Sequence, residues 1–517
     1  MKKITLLSAV LLSHWATAET APSVMQVQRI TLEPASTDKI LPQLSFEAQQ
    51  ARVAELAKQA EYRILQEEEK RLAAEKLQQA QIRIQQELGT KQLLLSQVVA
   101  KIYAENQLMP LWTNPQAVKV FLRDYALFAA SGISQKSTAS LQQILETPEG
   151  FARDILLTDS LLDYLYYNYN VANNANQWLY NLGSYIPKAP DELHINLWLS
   201  SIRNQADAQF IENLFPKNHV YQNTVQQLLS MNIDNPDIKQ LTPTEKPKNA
   251  KEKGASAELS FQKLALNAQR LRLIPNFDNG IFVNIPSYQL YYFRDGNLTL
   301  QSKVIVGRND RKTPVMYSKL SNVVVNPPWN VPTSIKNKDL VPKMRKDPSY
   351  VDRNGYEIID RSGNKVDPYT IDWAIYDSPG KNFPYHLRQK AGDDSALGRY
   401  KFNMRSSDAI YLHDTPNRGL FNKTNRALSS GCVRVAKSDE LATVLLKEAG
   451  WTEQRKQNVL NSKKTTSAQI YSNNPVYLYY VTAWVENGKI YTLPDIYRFD
   501  SKLPKTVIDW EKVKSVI

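Results

Sequence analysis

One stretch of sequence divides this chain into two parts that differ in fold class. Residues 232–258 contain three prolines and the lysine-rich run KPKNAKEKG, a composition typical of a linker. Residues 91–231, before it, carry helical patterns, and residues 259–500, after it, carry strand patterns separated by turns. The chain has 517 residues, more than one hydrophobic core usually absorbs. We therefore predict a multi-domain α+β protein, with a helical scaffold domain at 91–231 and a mainly β domain at 259–500.

The N-terminus is typical of a secretory signal peptide at residues 1–18. Lys2 and Lys3 precede a short apolar run, and Ala16-Thr17-Ala18 is a small-x-small cleavage site. The apolar run is shorter than the roughly 20 residues that span a bilayer. We expect an exported protein without an integral membrane segment after cleavage; an uncleaved anchor is the alternative.

Three further segments complete the predicted organisation. Residues 19–44 are rich in turn formers and are interpreted as a flexible lead. Residues 45–90 lack proline and are dense in Ala, Glu, Gln, Lys, Arg and Leu, which predicts one long helix. Its heptads are irregular, so a solvated spacer or weak coiled coil is expected, while its role and the oligomeric state stay open. Residues 501–517 are interpreted as a C-terminal tail.

Within the β part, turn signals mark the connections between strands. Asp295-Gly296 lies between two strand-like runs and predicts a hairpin. Residues 333–395 are irregular and charged, and long insertions of this kind are often lids or binding loops. Residues 439–449 are expected to be helical, and residues 476–484 and 490–493 to form a closing hairpin.

Net charge and metal-ligand chemistry narrow the possible partners. The formal net charge is +13, which in an exported protein favours anionic wall polymers or membrane surfaces, although solubility alone also explains it. Export argues against nucleic acid as a partner. The chain has one cysteine and no paired-histidine motif, so we expect no metal and no other cofactor. The aromatic residues at 91–231 are interpreted as helical core rather than as a sugar-binding surface.

Cys432, the only cysteine, cannot form an internal disulfide and is either a buried bystander or a thiol kept for chemistry. It follows Ser429-Ser430-Gly431, where glycine permits a tight turn. His413 ends a short strand before the turn-forming Asp414-Thr415-Pro416, a favourable place for a functional side chain.

These residue types suit acyl transfer to a thiol. An imidazole beside Cys432 can take its proton and form a thiolate–imidazolium pair. The amides of Gly431 and Cys432 can hold an oxyanion. Arg434 can bind a substrate carboxylate or, alternatively, pair with a nearby acid and brace the cysteine loop. A single Cys and a single His alone would be weak support.

A family resemblance strengthens this interpretation. His413, the run Ser429-Ser430-Gly431-Cys432 and Arg434 resemble the signature of YkuD-type L,D-transpeptidases. The resemblance extends to the large periplasmic YcbB-like branch of Gram-negative bacteria, over about 259–500 and more loosely over 91–231. Five stretches carry it: VIVGRNDRKTPV, VVVNPPWNVP, LGRYKFNM, AIYLHDTPN and ALSSGCVRV. Ser430 stands where the broader family often has a histidine, and no peptidoglycan-binding module is recognisable, so the mode of wall binding stays open.

The resemblance implies a reaction on peptidoglycan stem peptides in the periplasm, as part of wall biogenesis and cell shape. Cys432 would attack the carbonyl of the third residue, meso-diaminopimelate, of a tetrapeptide stem, and D-alanine would leave. The acyl group would pass to the side-chain amine of another stem. Carbapenems would acylate the thiol, and other wall-synthesis enzymes are conceivable partners.

The same resemblance assigns roles to neighbouring residues. It places Tyr411 and Ser430 in the substrate cleft, although Tyr411 could instead be a packed strand aromatic. Asn326 and Trp329 would flank the cleft or, alternatively, form a proline-rich corner. Asp414 would orient the base His413 through its carbonyl or side chain. Residues 333–395 would form a capping subdomain.

Rival functions remain. Sortases share the order His, Cys, Arg but separate His and Cys more widely, and papain-like peptidases have Cys before His. Water as acceptor would give L,D-carboxypeptidase activity, and a lipoprotein lysine would give an anchoring transferase. An inactive wall-binding scaffold is the alternative from another class.

Overall fold

The computed structural model describes residues 46–231, 261–377, 382–406, 409–503 and 508–517. The predicted signal peptide (1–18), lead (19–44) and linker (232–258) lie outside these ranges. None of the helices in the described ranges has the length and apolar character needed to cross a membrane.

Helix α1 (Phe46–Leu88) is the longest element described. Its first half exposes apolar side chains such as Val53 and Leu56. Near its end, Ala80, Ile84 and Leu88 are buried in the core of the following helices. Their spacing of four residues places them on one face of the helix.

The scaffold domain is a bundle of helices around a central one, α5. Its helices are α2 (Ser96–Glu105), α3 (Pro115–Ala130), α4 (Gln135–Glu146), α5 (Phe151–Trp178), α6 (Glu192–Arg203), α7 (Asp207–Glu212) and α8 (His219–Ser230). Residues 154–165 of α5 are buried on every face. Phe128 packs on Tyr167 with ring centroids 4.3 Å apart, so these aromatic residues form core, as expected.

The second part begins with α9 (Phe261–Leu271) and contains sixteen described strands. They are β1 (Gly280–Asn284), β2 (Gln289–Arg294), β3 (Asn297–Gly307), β4 (Met316–Val325), β5 (Trp329–Asn330), β6 (Tyr356–Ile359), β7 (Lys365–Val366), β8 (His386–Gln389), β9 (Tyr400–Met404), β10 (Leu412–His413), β11 (Ala427–Ser429), β12 (Val433–Val435), β13 (Thr466–Gln469), β14 (Pro475–Tyr479), β15 (Ala483–Glu486) and β16 (Lys489–Thr492).

Eight strands pair in a closed circuit, in the order β2-β3-β12-β10-β9-β4-β14-β1 and back to β2. The long strands β3 and β4 each pair with three strands. Strand β3 pairs with β2, β12 and also β11, and strand β4 pairs with β9, β14 and also β13. The predicted hairpin turn joins β2 and β3: Asp295 and Gly296 have φ of 47° and 74°, as a primed turn requires. The predicted fold class, multi-domain α+β, is confirmed.

The closing hairpin differs from the prediction of one strand over residues 476–484. The chain leaves the circuit after Tyr479, and β15 pairs with β16 instead. Side-chain amides explain the break: Val481 N–H donates to Asn284 Oδ1 at 3.0 Å, and Thr482 N–H donates to Asn267 Oδ1 at 2.8 Å. These bonds replace the ladder bonds that a continuous strand would make.

The inserted subdomain has a hydrophobic core of its own. Its sheet has the order β5-β8-β6-β7, and three short helices, α10 (Thr333–Ile335), α11 (Val341–Lys346) and α12 (Tyr350–Arg353), accompany it. Met344, Ile358 and Leu387 are buried in its core. Because β5 belongs to this sheet, the insertion starts at Trp329 rather than at residue 333.

Three helices complete the described structure: α13 (Ser438–Glu448), α14 (Glu453–Ser462) and α15 (Trp510–Val516). Helix α13 directly follows β12 and covers the predicted helical segment 439–449. It packs on β4 and β9, which places its N-terminus close to the end of β10.

Candidate active site

Three neighbouring strands bring the candidate residues onto one face of the sheet. His413 on β10 is paired with Lys401 on β9 and, on the other side, with Arg434 on β12. Tyr411 and Cys432 lie two residues before His413 and Arg434, so their side chains emerge on the same face. Val433 N–H donates to the Tyr411 carbonyl at 3.2 Å, which holds this register up to the cysteine.

The imidazole of His413 is buried, and its Nδ1 donates to the backbone carbonyl of Asp414 at 2.5 Å. The proton is therefore on Nδ1, and Nε2 keeps a free lone pair. The Asp414 carboxylate accepts instead from Arg399 N–H at 2.8 Å and Ser438 Oγ at 2.7 Å, and it pairs with Arg418 at 3.4 Å. Of the two orienting groups predicted on Asp414, the structure uses the carbonyl.

The thiol and the imidazole are both stabilised in their neutral forms. Burial raises the pKa of Cys432, against the effects of Tyr411, Lys401 and Arg434. Burial also lowers the pKa of His413 to about 3, and the charge of Arg434 adds to that lowering.

Within the described ranges, Cys432 and His413 do not hydrogen-bond each other. The Cys432 Sγ lies 3.9 Å from the Ala409 carbonyl instead. The thiolate–imidazolium pair expected from the sequence therefore stays a prediction, with His413 as the candidate base.

The loop before Cys432 is fixed by its own hydroxyl groups. Ser429 Oγ donates to the Cys432 carbonyl at 2.6 Å and accepts from Gly431 N–H at 3.2 Å. Gly431 has φ of 122°, which only glycine adopts readily. Because its amide is occupied, the predicted pair of oxyanion donors is reduced to one: the Cys432 N–H has no partner among the described residues.

A second loop, inside the motif VIVGRNDRKTPV, supports the cysteine loop. Thr313 Oγ1 donates to the Gly431 carbonyl at 2.7 Å and accepts from Gly307 N–H at 2.8 Å. The Tyr497 hydroxyl donates to the Gly307 carbonyl at 2.6 Å and accepts from Thr313 N–H at 3.1 Å. Sequence analysis quoted this motif without assigning Thr313 a role; a hydroxyl beside glycine-containing loops was the available signal.

The insertion contacts the site at two points. Arg311 forms an ion pair with Asp339 of the insertion and donates to Ser430 Oγ at 3.2 Å, so the Ser430 hydroxyl is already engaged. Burial raises the pKa of Tyr411, Cys432 adds to that effect, and Trp329 on β5, close to the Tyr411 hydroxyl, opposes it. Tyr411 lies next to the thiol and Trp329 lies next to Tyr411, while their role in binding substrate stays a prediction.

Asn326 does not line the cleft, so its predicted substrate role is wrong. Its Nδ2 donates to the carbonyls of Val459 at 2.9 Å and Lys464 at 3.3 Å, and its own carbonyl accepts from Thr465 Oγ1 at 2.8 Å. The buried amide thus fixes the chain at the end of α14, and the alternative of a structural corner applies.

Sequence analysis missed Lys401, whose Nζ lies 4.2 Å from the centre of the Tyr411 ring. The signal was its place in YKFNM: Lys401 alternates with the buried Tyr400 and Phe402, on the face that also carries His413. Burial lowers the Lys401 pKa, and a thiolate at Cys432 opposes that lowering.

The three other histidines of the described chain lie outside this constellation. His194 stacks on Tyr169 at 3.5 Å, His219 packs near Phe277, and His386 is exposed on β8. Within the described ranges no group of His, Cys, Asp and Glu side chains is arranged to hold a metal ion.

Comparisons with known proteins agree with the two-part organisation. The L,D-transpeptidase catalytic domain family (YkuD) matches residues 278–490, and the scaffold domain family matches residues 97–228. A Haemophilus influenzae protein named "Putative L,D-transpeptidase" is 53% identical over 452 residues, which cover 87% of this chain and 88% of that protein.

Two solved structures show weaker likenesses. The catalytic domain of the E. faecium L,D-transpeptidase acylated by ertapenem has 13% identity and a TM-score of 0.17, over 39% of this chain and 97% of that one. The Ldtfm–avibactam carbamoyl enzyme has 11% identity and the same TM-score, over 39% and 49%. On its two domain matches and its Haemophilus influenzae relative, the chain belongs to the YkuD-type L,D-transpeptidases, enzymes with a cysteine nucleophile, and combines scaffold and catalytic domains in the manner of the YcbB-like branch.

Proposed function

We propose that this enzyme forms crosslinks between the third residues of two peptidoglycan stems, with Cys432 as nucleophile and His413 as its base. The observation that carries the proposal is the state of the imidazole: Nδ1 is bound to the Asp414 carbonyl, which leaves the lone pair of Nε2 unused, and His413 pairs across the strands with Arg434, two residues after the chain's sole thiol. A neutral imidazole with a fixed tautomer can accept the thiol proton when substrate arrives.

In the first half-reaction, Cys432 Sγ attacks the carbonyl of the third residue of the donor tetrapeptide, and Nε2 of His413 accepts the thiol proton. The resulting oxyanion is stabilised by the unpartnered Cys432 N–H. Collapse of this intermediate breaks the peptide bond, and D-alanine leaves with the proton that His413 returns to its amine. The third residue remains on Cys432 as a thioester.

In the second half-reaction, the side-chain amine of another stem attacks the thioester. His413 removes a proton from the attacking amine, and the Cys432 thiol is regenerated as the new amide forms. Exclusion of water favours the amine over hydrolysis. The burial of His413, the partial burial of Cys432 and the proximity of Trp329 to Tyr411 support such a screened site.

The insertion that begins at Trp329 is proposed to cap the donor stem. Two contacts support this role: Trp329 reaches Tyr411 beside the thiol, and Asp339 binds Arg311, which in turn contacts Ser430 of the cysteine loop. A donor stem that binds beneath the insertion would therefore contact both the Cys432 thiol and the cysteine loop.

The acceptor decides between crosslinking, carboxypeptidase action and anchoring to a lipoprotein lysine. Purified enzyme is incubated with disaccharide tetrapeptides, and the products are resolved by mass spectrometry. Crosslinking predicts a dimer whose mass equals two stems less one D-alanine, with fragments that join two third residues. Tripeptides without dimers would establish hydrolysis instead, and dimers formed by a Cys432→Ala variant would contradict the cysteine mechanism.

Export to the periplasm of a Gram-negative cell is part of the same proposal, because stem peptides are found outside the cytoplasm. Its support is the sequence of residues 1–18. N-terminal sequencing of protein from a periplasmic fraction should begin at Glu19. A mature chain that begins at Met1 would contradict cleavage.

A further inference from the structure

Two cationic side chains flank His413 without an acidic partner among the described residues. Lys401 makes no hydrogen bond or ion pair there; its contact is the face of the Tyr411 ring. Arg434 likewise pairs with no carboxylate, and its Nε is buried without a hydrogen-bond acceptor. Neither cation is fully exposed.

Two other buried cations of this protein, Arg270 and Arg272, are paired with carboxylates. Arg270 bonds to Asp500 at 2.6 Å, and Arg272 bonds to Asp124 at 2.9 Å, in each case with both side chains buried. Removing a charge from water without a partner is costly, and it persists where function requires it. Around His413, the Cys432 thiol is the one acidic group that raises the pKa of either Lys401 or Arg434.

The strand register sets the spacing of the two cations. Lys401 and Arg434 occupy the strands on either side of β10, at the height of His413. Adjacent strands are about 4.8 Å apart, so the two attachment points are roughly 10 Å apart. They face the same side as Cys432, so a ligand that reaches the thiol also passes both cations.

We propose that Lys401 and Arg434 together form a two-carboxylate site for the donor stem. This inference rests on the proposed function. The donor has two carboxylates near the bond that breaks: the terminal carboxylate of D-alanine and the carboxylate in the side chain of the third residue. Each cation binds one of them, and the pair selects donors that carry both charges over donors with an amidated terminus or an amidated third residue.

A bracing role for Lys401 is the competing explanation, because its ammonium over the Tyr411 ring is also a cation–π contact. The two roles differ in what they predict for modified substrates. If Lys401 only braces the site, its removal should slow the reaction of every donor alike. If Lys401 binds a carboxylate of the donor, its removal should matter little once that carboxylate is replaced by a neutral amide.

The test combines enzyme variants with substrate analogues. Wild-type enzyme, Lys401→Met and Arg434→Met are assayed with three donors: the free tetrapeptide stem, the same stem ending in D-alaninamide, and the stem with an amidated third-residue side chain. Lys319→Met, a change at an exposed lysine of β4, is the matched control. Alkylation of Cys432 by a small neutral reagent reports whether the thiol remains intact in each variant.

For the free stem, Lys401→Met should lower kcat/KM about 10- to 100-fold, as expected for loss of a charge-assisted hydrogen bond. With one of the two amidated donors, Lys401→Met should change kcat/KM less than about threefold, because the carboxylate that Lys401 binds is already missing. Arg434→Met should show the same small effect with the other amidated donor. Lys401→Arg should retain the preference for the free stem, which protects the test if Lys401→Met folds poorly.

Equal losses with all three donors, or no loss with any, would overturn the two-carboxylate site. The proposed function fails separately: a wild-type enzyme that does not convert the free stem would contradict that function before any variant is compared.

Discussion

The Nδ1 atom of His413 is bound to the backbone carbonyl of Asp414 at 2.5 Å, one residue along the chain. The carboxylate of Asp414 takes no part in this contact, because it is held by Arg399 N–H, Ser438 and Arg418. The orientation of the imidazole is thus fixed by the path of the backbone at the end of β10. The Asp414 side chain affects the imidazole only by holding this part of the backbone, through its bonds to Arg399 N–H, Ser438 and Arg418.

The proposed base can be tested by His413→Gln, which keeps the approximate size of the side chain but cannot accept the thiol proton. Acylation by the donor stem should fall about 10²- to 10⁴-fold, the usual contribution of general-base catalysis. His386→Gln, a change at an exposed histidine of β8, is the control and should leave the rate within about twofold. Equal losses in both variants would place the base elsewhere.

The lowered pKa of His413 also predicts how stability depends on pH. The pKa is about 3 in the folded protein and about 6.5 in an unfolded chain, so between these values the unfolded state binds the extra proton. Folding stability is therefore lost as the pH falls below 6.5. From pH 7 to pH 5 this loss amounts to about 2 kcal/mol.

Denaturant unfolding of wild-type protein and His413→Gln at pH 7 and pH 5 isolates this contribution, because the other titrating groups are common to both. The wild-type protein should lose about 2 kcal/mol more than the variant on acidification. Parallel losses in the two proteins would show that His413 titrates normally in the folded state.

Sequence analysis predicted the parts of the site that are fixed along the chain. His413 and Arg434 lie on paired short strands, of which the strand that ends at His413 was predicted from the sequence. The sequence could not predict which polar groups of the site would lack hydrogen-bond partners. The Gly431 amide is occupied because the Ser429 side chain folds back on its own loop, which is a choice of rotamer.

Cys432→Ser tests the nucleophile and the inhibitor class in one pair of proteins. Wild-type enzyme should gain the mass of one carbapenem, as proposed for this family, and the serine variant should not, because a hydroxyl is a much weaker nucleophile beside the same imidazole. Intact-protein mass spectrometry measures both. The near-isosteric change should leave the melting temperature almost unchanged, so a folded variant with an undiminished adduct would remove Cys432 from the mechanism.

Thr313→Val tests the loop that supports the cysteine loop. The change deprives the Gly431 carbonyl and the Gly307 amide of their partner while the volume stays the same. Each buried group left without a bond costs about 1–3 kcal/mol, so for the two groups we expect a loss of about 2–6 kcal/mol in unfolding free energy, with slower turnover. Thr299→Val, at an exposed position of β3, should change neither quantity. A stable Thr313→Val enzyme with normal turnover would show that the loop needs no such support.

The residue that was misplaced from the sequence and the residue that was missed share one physical cause. Asn326 and Lys401 are both polar residues within apolar strand motifs, and the motif does not say on which side of the sheet a partner will be found. Asn326 donates to a backbone carbonyl near the end of α14, a helix more than 125 residues later, and therefore has a structural role. Among the described residues, the Lys401 side chain contacts the face of the Tyr411 ring and interacts electrostatically with Cys432, so its ammonium remains able to bind a substrate carboxylate. Such outcomes depend on tertiary contacts that a single sequence does not display.

Arg434→Lys tests whether this side chain binds a substrate carboxylate or braces the cysteine loop. A guanidinium binds a carboxylate through two parallel hydrogen bonds, and an ammonium cannot reproduce that geometry although it keeps the charge. An ion pair that braces the loop would need an acidic partner, and within the described ranges Arg434 has no such partner. Turnover of tetrapeptide stems should therefore fall about 10- to 100-fold in the variant.

Two further measurements on the same variant separate the two roles. Alkylation of Cys432 by a small neutral reagent needs only the thiolate, so its rate should change by less than about threefold, because the variant keeps a positive charge beside the sulfur. The melting temperature should likewise stay within a few degrees of the wild-type value, since Arg434 pairs with no carboxylate of the described residues. If turnover, alkylation and melting temperature all fall together, Arg434 supports the loop, and the carboxylate of the donor stem must be bound by another residue.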